Sequence, residues 1–66
     1  MNTYTTTAYN QQGQAQETEI QTDSWAATEI CWQLSEDYGY AETLDAWGKH
    51  HGEYGHRPTA LGQRVY

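Results

Sequence analysis

The chain has 66 residues and a net charge of −6, a size that excludes most enzymes with a buried cleft and allows a single domain near the lower limit for a self-sustaining core. Strong aliphatics are few (Ile20, Ile30, Leu34, Leu44, Leu61, Val65) beside three Trp and six Tyr, so the apolar area is expected to come largely from rings with a polar handle. Residues 1–48 hold eight acids and no base, while residues 49–66 hold Lys49, Arg57 and Arg64 against Glu53, a balance that argues against direct nucleic-acid binding and for a basic protein surface as partner.

In chain order, residues 3–22 read as a β-hairpin. Thr and Tyr favour strands, and Asn10-Gln11-Gln12-Gly13 supplies turn chemistry between arms near 3–9 and 14–22. Alternation groups Ile20 with Thr18 and Gln16, and that face is expected to pack, since an isolated hairpin is marginal in water. Residues 23–38 read as the main helix. Thr22-Asp23-Ser24 offers capping oxygens, residues 25–38 lack Gly and Pro, and Gly39 is placed to end it. Ala27, Ile30, Cys31, Leu34 and Tyr38 form its core stripe.

Residues 40–47 are expected to form a second short helix, with Tyr40, Leu44 and Trp47 as one apolar edge and Gly48 ending it. Residues 48–58 read as a Gly- and His-rich loop. Thr59-Ala60-Leu61 could start a last turn, and residues 63–66 could add a third short strand to the hairpin edge. The expected class is therefore α+β: a hairpin packed on one main helix with a second short helix, in one domain spanning 1–66.

The chemistry-bearing residues are scattered. His50, His51, Glu53 and His56 are metal-ligand types, but their order does not match the helical His-Glu-x-x-His arrangement, and they stand as weak metal candidates only. Cys31 belongs to the core stripe, which favours an inert thiol; as a lone cysteine it makes no intrachain disulfide and suits a reducing compartment. No apolar run approaches a membrane span. The expectation is a soluble, non-enzymatic protein without a cofactor, working in the cytoplasm of a host cell.

A recognition face is the remaining candidate. Trp25 and Trp32 project away from the core stripe with Glu29 and Glu36 on the same flank. Rings set among acids suit a basic, grooved partner. Glu17 and Glu19 could extend this face from the hairpin, and Glu42 and Asp45 could continue it with Asp37 as a negative strip. The alternative is a self-associating structural or adaptor protein, a homodimer that covers the Trp face with a second copy.

Small size, acidity and aromatic richness without catalytic groups resemble the anti-CRISPR and antirestriction inhibitors made by phages and mobile elements. The likeness is one of size and composition rather than of a motif. It implies a protein that blocks a basic nucleic-acid-handling surface of a host defence protein such as a CRISPR-Cas effector. The strongest DNA mimics are more acidic, so partial blockade through an aromatic-acidic face fits −6 better than duplex mimicry along the whole chain.

Overall fold

A computed structural model describes residues 2–62. The chain runs through β1 (Tyr4–Tyr9), β2 (Ala15–Gln21), α1 (Ser24–Tyr38), β3 (Tyr40–Leu44) and β4 (His50–Gly55), then a 3₁₀ turn at Thr59–Leu61. The strands form one antiparallel sheet in the order β2-β1-β3-β4, and α1 packs on one of its faces. The class is the α+β arrangement expected.

The first hairpin forms as its residues dictate. The Asn10 Oδ1 accepts the backbone N–H groups of Gln12 and Gln14 at 3.0 and 2.9 Å. Gly13 takes the left-handed φ of +81° that closes the turn, and its N–H donates to the Asn10 carbonyl. The helix is also as read. The Asp23 carboxylate caps the Ala26 N–H at 2.9 Å, and left-handed Gly39 donates its N–H to the Ser35 carbonyl.

Residues 40–47 do not form a helix, and residues 50–55 are not a loop. Both belong to a second hairpin whose turn repeats the first in detail. The Asp45 Oδ1 accepts the N–H groups of Trp47 and Lys49, both at 2.9 Å. Gly48, at φ +79°, donates to the Asp45 carbonyl, and the Asp45 N–H donates to the Lys49 carbonyl as that of Asn10 does to Gln14. Asn10-x-x-Gly13 and Asp45-x-x-Gly48 are one turn used twice, and each hairpin carries an irregularity in register near its turn. Strand alternation then sends Ala41 and Thr43 toward α1, and Tyr40, Glu42 and Leu44 to the other face.

The core under α1 is built from small side chains. Ala8, Ala41, Cys31 and Leu34 form its cluster, with Ala27 buried and Ile30 and Tyr38 partly buried around it. Thr6 and Thr43 meet beneath the helix and share a hydrogen bond of 2.6 Å, so two fully buried hydroxyls satisfy each other. The helical stripe is therefore confirmed. The expected aromatic core is not: Tyr40 is the fully buried aromatic among the described residues, and it lies on the face away from α1.

The Ile20 face of β2 is also corrected. Ile20 is 66% exposed, and β2 instead turns Glu17 and Glu19 toward the helix side, where the Tyr38 hydroxyl donates to Glu17 at 3.1 Å. Glu17 sits opposite Ala8 and Glu19 opposite Thr6, at the edge of the sheet where the helix gives least cover.

After β4 the chain folds back over the face opposite α1. Arg57 lies 5.7 Å over the Tyr40 ring and donates to the Tyr40 hydroxyl at 2.8 Å and to Glu42 at 3.3 Å. Pro58 is fully buried, and Ala60 and Leu61 lie against Gly13. The third strand expected at 63–66 lies outside the described residues.

Candidate protein-binding face

Helical geometry sets the Trp positions. Successive residues turn about 100° around a helix of 3.6 residues per turn, so Trp25 and Trp32 are both surface neighbours of Thr28, three before and four after it. Thr28 lies on the side of α1 that overhangs β4, where it helps line a cavity. The same angles turn both indoles away from the buried side of Ala27, Cys31 and Leu34, so they stand on the outer face of the helix, 71% and 52% exposed, with Glu29 and Glu36 exposed beside them.

The surface beside the start of α1 holds residues that sequence reasoning missed. Trp47, on the β3–β4 turn, is 75% exposed rather than part of an apolar edge with Tyr40 and Leu44. The rings of Tyr4 and His51 lie 4.7 Å apart, and the His51 Nε2 shares a 3.2 Å hydrogen bond with the Ser24 hydroxyl. His51 thereby ties the start of α1 to β4. A hollow of about 160 Å³ between Tyr4, Asp45, Trp47 and His51 adjoins it. A larger cavity of about 290 Å³ opens between α1 and β4, lined by Thr28, Cys31, Thr43, His51 and Tyr54 among others. The doubled Asx-x-x-Gly turn was the signal that could have placed Trp47 and β4 correctly.

The other proposed partner-binding acids do not extend this face as a continuous strip. Glu17 and Glu19 belong to β2, at the opposite edge of the sheet. There the bond to Glu17, ahead of its charge, holds the Tyr38 phenol above its ordinary range, and the neighbouring Glu17 carboxyl holds Glu19 above its own. Glu42 is buried at 7% exposure beneath Arg57, so Asp37, Glu42 and Asp45 form no negative strip. Asp45 spends its carboxylate on the turn beside Trp47. Trp25, Glu29, Trp32 and Glu36 remain together.

The weak metal candidates are dispersed as well. His50 lies 3.3 Å from Glu53 on the face away from α1, His51 lies against Tyr4 on the helix side, and His56 follows the end of β4. Among the described residues no group of three His, Cys, Asp or Glu is placed to hold a metal ion. Glu53 also accepts from the Tyr40 hydroxyl at 3.2 Å, so it joins Arg57, Tyr40 and Glu42 in a polar cluster that pins the returning segment to the sheet. Burial raises the Tyr40 phenol far above its ordinary range, with the Arg57 hydrogen bond opposing.

Cys31 is 1% exposed and its thiol donates to the Ala41 carbonyl at 3.3 Å. Burial pushes that thiol up, which leaves it protonated and a poor nucleophile. No helix among the described residues is long and apolar enough to cross a membrane. Compared with known protein families, curated proteins and solved structures, this chain has no match.

Proposed function

We propose that the chain is a non-enzymatic binding module that inhibits a host defence protein, such as a CRISPR-Cas effector, by occupying a basic surface built to handle nucleic acid. The observation that carries this reading is the exposure of the Trp25 and Trp32 indoles on a helix whose core stripe is already covered, with Glu29 and Glu36 beside them. Burying an indole removes roughly 150–250 Å² from water, so two such rings supply a hot spot for a partner. The carboxylates around them and the net charge of −6 select a basic partner and speed its approach. The inward use of Arg57 leaves the exposed acids less opposed at the surface.

Affinity capture from host lysate with wild type and a Trp25→Ala/Trp32→Ala variant tests this reading. A basic nucleic-acid-binding protein is expected with wild type and not with the variant, and its retention is expected to weaken as salt rises. A partner held equally by both proteins, or one indifferent to salt, removes the aromatic-acidic face. A concentration-dependent dimer in light scattering that the same double substitution abolishes would favour self-association as the use of the indoles.

A further inference from the structure

Gly52 stands within β4 with no structural need to be glycine. Its φ is not left-handed, and a Cβ built on it would meet nothing within 4 Å. Neither backbone conformation nor crowding therefore calls for the missing side chain. A glycine inside a strand gives up packing and order, and it often marks a place where another molecule approaches closely. Pairing with Thr43 and strand alternation set Gly52 and Tyr54 on the helix side of β4. The side chain that Gly52 lacks leaves open the cavity of about 290 Å³ between α1 and β4, which Thr28, Cys31, Thr43 and His51 also line.

The walls of this cavity are apolar in effect, because their polar atoms are already engaged. The Thr28 hydroxyl donates to the Ser24 carbonyl at 3.0 Å, the Thr43 hydroxyl shares its 2.6 Å bond with Thr6, and the Cys31 thiol donates to the Ala41 carbonyl. These residues offer a guest two methyl groups and a sulfur, beside the Gly52 backbone and the partly exposed Tyr54 ring. The His51 Nε2 is taken up by Ser24, and Glu53 turns its carboxylate to the opposite face, where it meets Tyr40 and His50. Lys49, His50, His56 and Arg57 lie outside the lining. Among the described residues that line the cavity, none directs a carboxylate, ammonium or guanidinium into it, so charge of either sign gains nothing there. A dry apolar cavity of roughly 150 Å³ is enough for one benzene ring. About 290 Å³ has room for two fused rings, and an aromatic guest gains over an aliphatic one by meeting the Tyr54 ring edge to face or offset.

We propose that the cavity at Gly52 is a binding site for a small neutral aromatic molecule of about two fused rings, held between α1 and β4. The site is separate from the outer helix face that carries Trp25 and Trp32, and it does not rest on the function proposed above.

The test titrates indole into the isotope-labelled full chain at neutral pH, with tryptamine and indole-3-acetate as its cationic and anionic counterparts. Indole should bind saturably at a single site, with the largest amide shifts at Thr28, Thr43, Gly52 and Tyr54, and neither charged counterpart should bind more tightly. Gly52→Leu fills the cavity from the strand and Thr28→Leu fills it from the helix. Each should keep the wild-type circular dichroism and weaken indole binding by about tenfold or more, the loss that follows when the apolar area of a ring stays in water. Two fillings from opposite walls keep the test decisive should one variant fail to fold. Trp25→Ala/Trp32→Ala should bind indole as wild type does, which separates this site from the aromatic-acidic face. Absence of saturable shifts at millimolar indole, equal binding to the filled variants, or loss of binding in the double tryptophan variant each overturns the proposal. Tighter binding of tryptamine or indole-3-acetate overturns the neutral class of ligand.

Discussion

Replacing Asp45 by alanine should destabilise the fold as much as replacing Asn10, although one sits in the hairpin read correctly and the other in a stretch read as helix. Each side chain accepts two backbone N–H groups at 2.9 to 3.0 Å, from Gln12 and Gln14 or from Trp47 and Lys49. A hydrogen bond contributes about 1 kcal/mol net, and exposed turn donors regain water when the acceptor is removed, so each alanine variant should lose about 1–2 kcal/mol. In a domain this small 1 kcal/mol lowers Tm by about 4–8 °C, which places both variants roughly 5–15 °C below wild type. Asp45→Asn keeps the accepting oxygen and should melt within about 3 °C of wild type, less than one such step. Thermal melts followed by circular dichroism on the three variants decide the matter. If Asp45→Ala is silent while Asn10→Ala is costly, or if Asp45→Asn is as damaging as alanine, the two turns are not the same device.

Three further outcomes follow from the packing. Thr6→Val or Thr43→Val alone should cost about 1–3 kcal/mol by leaving one buried hydroxyl without its partner, whereas the double variant should recover most of that loss. Chemical denaturation of the full cycle measures the coupling, and additive losses would refute it. Gly55→Ala should cost about 2 kcal/mol or more, because Gly55 has φ +91° and an added Cβ would strike the Gly39 carbonyl oxygen. A melting temperature equal to wild type would refute that. Finally, Tyr40 has a folded pKa above its unfolded value, so its contribution is present below about pH 10 and is lost as pH rises beyond it. Wild-type Tm should therefore fall steadily above pH 10, and more steeply than that of Tyr40→Phe. Parallel slopes would place the alkaline transition elsewhere.

The elements with local instructions were legible. Asn10 and Gly13 define the first turn, Asp23 and Gly39 bracket the helix, and Ala27, Cys31 and Leu34 mark its inner side. The second hairpin was hidden because Tyr40, Leu44 and Trp47 fall at helical spacing, while Tyr40, Glu42 and Leu44 also share one face of a strand and Trp47 belongs to its turn. The deciding information, that Asp45-x-x-Gly48 repeats Asn10-x-x-Gly13, lies in the turn rather than in the apolar pattern. Ile20 misled for a different reason. It is the large aliphatic of β2, yet the inner side of this sheet is made of Ala and Thr packed close under the helix, and at the edge Glu17 meets the Tyr38 hydroxyl there instead. Trp25 and Trp32 were correctly separated from the stripe by helical angle alone. Glu42 was misplaced because its role depends on Arg57, fifteen residues away along the chain.

The location of the three tryptophans makes this molecule its own optical gauge. Since Trp25, Trp32 and Trp47 all stand in water and the interior is Ala, Thr, Cys, Leu and Tyr, intrinsic emission should be red-shifted already in the native state and should change little on denaturation. A blue shift would then announce the arrival of another body over the rings, so occupancy can be followed without attaching any label.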